Sequence, residues 1–427
     1  MEPTDVSTAL SPDHQTTTEH CAVTVHHAKQ DTQLANRHIR LTAHTLLFHH
    51  FSREVASKLA WLDGPDNPWR TLVLPIAQRS TCLQLATLGL AAAHMCVVSS
   101  RDQSSLIQMH RDLRDASLRN LNQKMQSELN RELAPGRPDS GTSSIVEMIL
   151  TMIALCYAEM IIPNSTGWRL HLTGVRTGFE RYHLSNHHEK AVSQFFVEEI
   201  EYLEVFGSIS SFAGASGRHR ITSQHVTSDD YFKEFTELLH EITATERSRY
   251  NTFEEGKEIP DTDMAVWQAR LMGSYESVCM RIDSNTSQDV SVQIGLKSVL
   301  KAQYYSCLVY SYQSLAPEAE RIASIPDLID RLYNEVIFMT SWPTEAVSHN
   351  ISFPLFILGT ESQLYTEKQI MIERLFTEHI AATGFSCNSA VLQFLRDFWS
   401  ALASEATRNW IQYARENEQR IRPFIVF

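Results

Sequence analysis

Apolar residues in this chain recur every three to four positions in one segment after another, and no block alternates strictly for long enough to build a sheet. Leu46, Leu47, Phe51, Val55, Leu59 and Leu62 make one such stripe, and Trp168, Leu172, Val175 and Phe179 make another. Leu296, Leu300, Tyr304, Cys307 and Ser311 line up in the same way, as do Val391, Leu395, Phe398, Leu402, Ala406, Trp410 and Tyr413. Side chains at this spacing share one face of a helix and must bury it against other helices. The predicted fold class is therefore all-α, a large multi-helix array. The 15 glycines and 14 prolines together are about 7% of the 427 residues, against an average near 12%. Folds that depend on tight glycine turns (Rossmann, sandwich and barrel) are disfavoured accordingly.

Residues 1–42 are polar, rich in Thr, His, Asp and Gln, and lack an apolar period. They are expected to form a disordered tail ahead of one helical domain over residues 43–427. Gly64-Pro-Asp-Asn-Pro68 should stop the first helix, and Pro75 suits the first turn of the next. That next helix is apolar nearly all round through Leu83–Ala93, which predicts burial. Further helices are expected over 103–133, 144–162, 190–212, 228–245, 262–283 and 293–313, and a last long one over 388–417. Ala134–Gly141 reads as a loop, and 214–227 and 247–261 as loops or hinges.

The functional exclusions come from charge, cysteines and missing motifs. The net charge is −13, which repels a phosphate backbone, so no autonomous nucleic-acid binding is expected. The seven cysteines lie at 21, 82, 96, 156, 279, 307 and 387. No two approach the C-x-x-C spacing of a zinc or redox motif, and the scatter suits reduced, buried thiols in an intracellular setting. Met1–Gln15 has neither a basic start nor an apolar core, so no signal peptide is expected. Leu83–Ser99, the most apolar stretch, carries Gln84, Thr87 and His94 and reads as too short and polar for a membrane span. Phosphate-binding glycine loops, the hydrolase nucleophile elbow and H-E-x-x-H are all missing.

Candidate chemistry is sparse. His183 and His187, with His188 and Glu189, could share a helix face toward a metal, but no third ligand is in register. A polar helix end is the simpler reading, and no metal or cofactor is expected. His20, Cys21, His26 and His27 lie in the tail. Glu198, Glu201 and Glu204 recur every three residues and read as a solvated stripe. Arg176 and Glu180 read as a helix-supporting i,i+4 pair. Packed helical arrays leave apolar cavities between helices, and Met148, Met152, Trp168, Tyr304 and Trp342 are bulky, adaptable residues suited to line one. His94, His171 and Tyr304 are the polar side chains on mostly apolar helices that a catalytic centre could use.

Three blocks, taken together, resemble a known family. The first runs from Leu46-Leu-Phe-His-His-Phe51 through Asn67-Pro-Trp-Arg70 and Leu74-Pro-Ile-Ala to Leu88-Gly-Leu-Ala-Ala-Ala-His94. The second is Gly167-Trp-Arg-Leu-His-Leu-Thr-Gly-Val-Arg176, and the third is Phe353-Pro-Leu-Phe-Ile-Leu-Gly-Thr-Glu361, followed by a charged helix with Arg374. Over about residues 44–415 the chain is similar to the fungal-specific transcription factor domain, the regulatory region of fungal zinc-cluster activators. The resemblance implies an all-α regulatory domain, which in some members senses an apolar metabolite such as a sterol. It also implies six closely spaced N-terminal cysteines, and here Cys21 alone precedes the domain. The expectation is a regulator of transcription without its own DNA-binding module. It would bind a small apolar ligand, act with a protein partner or as a homodimer in the nucleus or cytoplasm, and control a fungal, secondary metabolic pathway. The alternatives are a metal-free cyclase or isomerase acting on an apolar intermediate, and a ligand-binding scaffold without catalysis.

Overall fold

The computed structural model describes residues 42–99, 103–132, 142–184, 190–212, 231–259, 261–285, 289–341, 350–363, 366–401 and 409–427. These are helical throughout apart from short connections, and no strand occurs among them. The all-α expectation is borne out. The chain divides into two units, Met1–His49 and His50–Phe427. In the first, the described residues are helical (α1, residues 42–50, ends just past it). The predicted loops at 134–141 and 214–227 and the tail up to residue 41 lie outside the described residues, and Thr42, the last residue assigned to the tail, is helical.

In the second unit the chain begins with a π-helical turn, Phe51–Val55, that runs into α2, Ala56–Leu59. The first helix ends at Leu59, ahead of the Gly64–Pro68 stop. A second π turn, Trp69–Val73, leads into α3, Leu74–Ala77, with Pro75 in its first turn as expected. The chain then breaks at Gln78–Ser80 before α4, Thr81–Val98, so the single helix expected from Pro75 onward is two. The core follows from α4, which is apolar on every side: α5, Gln103–Glu132, and α6, Thr142–Ile161, pack on it. Two hydrogen bonds tie α5 to the backbone of α4. Ser117 Oγ donates to the Cys82 carbonyl, and His110 Nδ1–H to that of Gly89, both at 2.9 Å.

Helices α4 and α6 are long and apolar enough to cross a bilayer by composition alone, but 61% and 78% of their apolar windows are buried inside the protein. For α4, burial rather than insufficient length marks it as a core helix.

Next, α7, Trp168–Arg181, lays its predicted stripe (Trp168, Leu172, Val175, Phe179) inward against α6. Helix α8, Lys190–Ser208, joins α7 to α9, Lys233–Glu254. Helices α9 and α10, Met264–Ser284, surround α11, Val290–Leu315, which is buried on more sides than its one predicted stripe. α12, Glu318–Ser341, runs through Pro326, a residue that ordinarily ends a helix. Ile325, Ile329, Leu332, Val336 and Met339 bury one face of it against α11 and hold it together.

The last layer is α13, Ser352–Thr360, α14, Thr366–Thr383, and α15, Asn388–Ala401. The long helix expected over 388–417 is α15 followed by a separate α16, Trp410–Glu416. Asn409 caps α16 by accepting from Ile411 N at 2.8 Å. Leu402 and Ala406 lie outside the described residues.

Candidate ligand-binding site

The predicted pocket residues that the structure describes do not line its large cleft. Met148, Met152 and Trp168 are buried core side chains. Met152 Sδ lies over Gly174, and the Trp168 ring over Gly207, each close enough that an added Cβ would sit 2.9 or 3.0 Å away. Tyr304 is buried against Tyr275 with ring centroids 5.1 Å apart. Trp342 lies outside the described residues.

The three catalytic candidates stand on three different helices. His94 is buried, with Nδ1 2.9 Å from His50 Nε2 and its own Nε2 without a hydrogen-bond partner. Burial, then the neighbouring His50, hold its pKa down to about 4. His171 is half-buried; burial lowers its pKa and nearby Glu159 opposes the shift. The Tyr304 hydroxyl is pushed up by burial. A cyclase or isomerase centre needs its acid and base on one substrate, and these three groups face different neighbours. His183 takes a left-handed backbone, φ 49°, while His187, His188 and Glu189 lie outside the described residues. No group of three potential metal ligands occurs among the described residues.

A buried serine and histidine do meet elsewhere. Ser352 Oγ and His379 Nε2 are 2.7 Å apart, and the Ser352 hydroxyl donates to the Phe427 carbonyl. With that proton committed, His379 Nε2–H is the donor to Ser352. Asn388 Nδ2 also donates to Phe427 O, at 2.6 Å. The neighbouring void is about 10 Å³, room for about one water. This cluster anchors Phe427, and the space beside it is too small for a substrate.

The large space lies elsewhere. A cleft of about 820 Å³ opens between the turn that follows α2, helices α6 and α8, the start of α9, the end of α10 and the start of α11. The turn is fixed by its own sequence. Asn67 Nδ2 donates to the Ala56 carbonyl (2.8 Å) and to Asp63 (2.9 Å), while its Oδ1 accepts from Trp69 N at 2.9 Å. Arg70 clamps both Asp63 oxygens, at 2.5 and 3.1 Å, and donates to Ser52 O. Burial raises the Asp63 pKa, but hydrogen bonds from Arg70 and Asn67 outweigh it and leave the carboxyl below its usual range. The Asn67-Pro-Trp-Arg70 block thus sets one wall of the cleft.

The walls are aromatic. Trp61 stacks on Phe232 (4.3 Å, 16°) and meets Tyr202 edge-on (4.9 Å, 82°). Trp69 meets Tyr157 and Phe195 edge-on, each at 5.4 Å. Tyr157, fully buried, donates its hydroxyl to Glu199; burial first and the carboxylate second push its pKa well above the usual value, so it stays protonated. Trp69 Nε1 is buried without a hydrogen-bond partner. Glu198 and Glu201, read from sequence as members of a solvated stripe, are half-buried wall residues. Glu204, the third of that stripe, instead binds Arg176 at 2.6 Å, and Arg176 also holds Glu180 as predicted.

A family model described as the fungal specific transcription factor domain matches residues 46–422. The chain belongs to that family. The resemblance carried by the three sequence blocks is therefore borne out, and family membership supports a regulator-like role in transcription. No curated protein and no solved structure matches the chain. The cleft, from Leu59 to Val292, falls wholly within the matched domain.

Sequence reasoning missed Trp61, Trp69 and Tyr202. Aromatic residues at helical spacing look alike whether they fill a core or line a cleft. The turn block around Asn67 is the signal that pointed to this region.

Proposed function

We propose that the chain is a nuclear regulator of transcription that senses a metabolite with a large apolar body in the cleft, and so controls a fungal, secondary metabolic pathway. The observation that carries this reading is an aromatic-walled space of about 820 Å³ inside the regulatory domain. Ligand pockets run to roughly 300–1,000 Å³, lined by apolar and aromatic groups with a few polar ones. Occupancy acts as a signal because the walls come from elements distant in sequence. A ligand touching Trp61, Tyr202 and Phe232 at once ties the α2 turn, α8 and α9 together and stabilises that arrangement over looser ones.

In this reading contact with DNA comes through a protein partner, which supplies the DNA-binding module. Residues 1–427 carry a net charge of −13 and no closely spaced cysteines, features that argue against DNA contact by this chain itself.

Two measurements test the reading. Small molecules extracted from the purified chain and identified by mass spectrometry should include an apolar compound that is lost in Trp61→Ala with helical content retained. An empty extract, together with a flat thermal midpoint across a panel of apolar metabolites, refutes the sensor. A mobility-shift assay with the purified chain should show no sequence-specific DNA binding, and a specific shift surviving about 0.2 M salt refutes the partner clause.

A further inference from the structure

We infer that Phe427 is a positioning residue for the cleft: its ring backs two of the wall tyrosines, and its anchored carbonyl ties their setting to the α13–α15 layer. The inference rests on the cleft being a ligand site, as proposed above, and concerns what holds one of its walls and where occupancy is felt.

Phe427 does not itself line the cleft. Its ring stands one side chain behind, with centroids 5.4 Å from Tyr157, 5.5 Å from Tyr202 and 4.3 Å from Phe385. Tyr157 and Tyr202 are wall residues. The small void beside Phe427 is also bounded by Leu59, Ala60, Trp61 and Tyr202, and all four line the cleft. One layer of side chains therefore lies between Phe427 and the cleft. Within it, Tyr202 is in ring contact with both Trp61, at 4.9 Å, and Phe427.

Residues 422–427 form no regular secondary structure, so side chains of other elements hold this segment. Ser210, just past the end of α8, donates to the Phe424 carbonyl and accepts from Phe424 N at 3.3 Å. The Phe424 ring packs on Phe356 and Phe394, and Phe424, Ile425 and Val426 are buried. Phe427 is half-buried, and its carbonyl takes the Ser352 hydroxyl and Asn388 Nδ2. Ser352 opens α13, Asn388 opens α15, and His379 of α14 is bonded to Ser352. All three helices of the last layer thus converge on one carbonyl, whose side chain backs the cleft wall.

Rings braced in place need not be ordered by a ligand, and that preorganisation favours binding. Linkage makes the effect reciprocal. A ligand that stills Tyr157 and Tyr202 also seats Phe427 and strengthens its hold on α13–α15. Ser352 and Asn388 are not wall residues, so they influence affinity only through Phe427.

The test is a double-mutant cycle on affinity. The full chain is titrated with two neutral dyes, 1-pyrenemethanol and Nile red, read by fluorescence, with helical content and urea midpoints recorded for every variant. Phe427→Ala should weaken binding about three- to tenfold, and Asn388→Ala or Ser352→Ala about two- to fivefold, the range that coupled packing networks give. Combined with Phe427→Ala, either anchor variant should cause no further loss, because no ring is left to place. A merely structural role lowers the urea midpoints and leaves affinity unchanged, or gives losses that add. Phe427→Leu, which keeps apolar volume without the flat ring, takes the place of Phe427→Ala should the alanine variant unfold. If the Phe427 variant binds as the native chain does, or the anchor variants retain their full effect in its background, the inference is overturned while the cleft stands as a ligand site. If neither dye binds the native chain, the cleft is not a ligand site, and both readings fall.

Discussion

Gly384 offers the sharpest check on how the α4 and α14 layers meet. It follows α14 with φ +75° and donates its N–H to the Ile380 carbonyl at 2.8 Å, a left-handed helix cap. A Cβ there would sit 2.8 Å from His94 Cδ2 and 3.1 Å from Nε2. His94 cannot swing clear cheaply, because it is buried in the alanine-rich face of α4 and held by His50. Gly384→Ala therefore meets two costs. Left-handed backbone with a side chain costs about 1–2 kcal/mol, and forcing a buried ring off its rotamer adds about 0.5–1.5 kcal/mol. Gly256 separates them: it has φ +68° and nothing within 4 Å of an added Cβ, so Gly256→Ala meets the backbone cost alone. In urea unfolding, Gly384→Ala should lose about 2–3 kcal/mol and Gly256→Ala about 1–2 kcal/mol, with unchanged denaturant slope. The His94→Ala background should recover the steric part of the Gly384→Ala loss, a coupling of about 1 kcal/mol in the double-mutant cycle. Equal losses at the two glycines, or strict additivity with His94→Ala, would refute the packing of His94 against the α14 cap.

Two further outcomes follow from the same geometry. The folded-state pKa of His94 is about 4, below its ordinary value of 6.5, so the unfolded chain binds the extra proton first. Its contribution is then fully present above about pH 6.5 and is lost as pH falls toward 4, at up to about 1.4 kcal/mol per pH unit. His110 and His171 are shifted in the same direction. Unfolding followed between pH 7 and 4.5 should show that slope, reduced in His94→Gln; an unchanged slope in the variant removes His94 from the account. Asn67→Ala deletes the amide that bonds Ala56 O, Asp63 and Trp69 N, and should cost about 2–3 kcal/mol because buried backbone groups lose their partners. It should also weaken the binding of apolar compounds in the cleft, and intact binding at reduced stability would show that the turn does not shape the wall.

The fold was legible wherever one side chain in three or four had to be buried, and it was lost where local geometry decided. The stripe Trp168, Leu172, Val175 and Phe179 is buried as its spacing demands, because a helix on the outside of a layer has one inner face. α11 and α4 have no outer face to speak of, so periodicity named their burial only in part. The breaks at Gln78–Ser80 and just before Trp410 escaped for a different reason. No glycine or proline marks them, and the Asn409 cap that begins α16 is a single side-chain bond that the surrounding apolar period overrides in sequence. The cleft was harder still. Trp61 and Trp69 belong to a turn, Tyr157 to α6, Tyr202 to α8 and Phe232 to the approach to α9, and each taken alone is an aromatic residue at a core-like position. What distinguishes a wall from a core is whether the facing element closes the space, which depends on the separation of helices far apart in sequence. The carboxylates carry the same ambiguity. Glu198, Glu201 and Glu204 have one spacing and one composition, yet Glu204 is taken by Arg176 across the α7–α8 contact while its two neighbours reach the cleft. A charge on a helix acquires its role from the opposing surface, so the part of the site that selects a ligand is the part a single sequence specifies least directly.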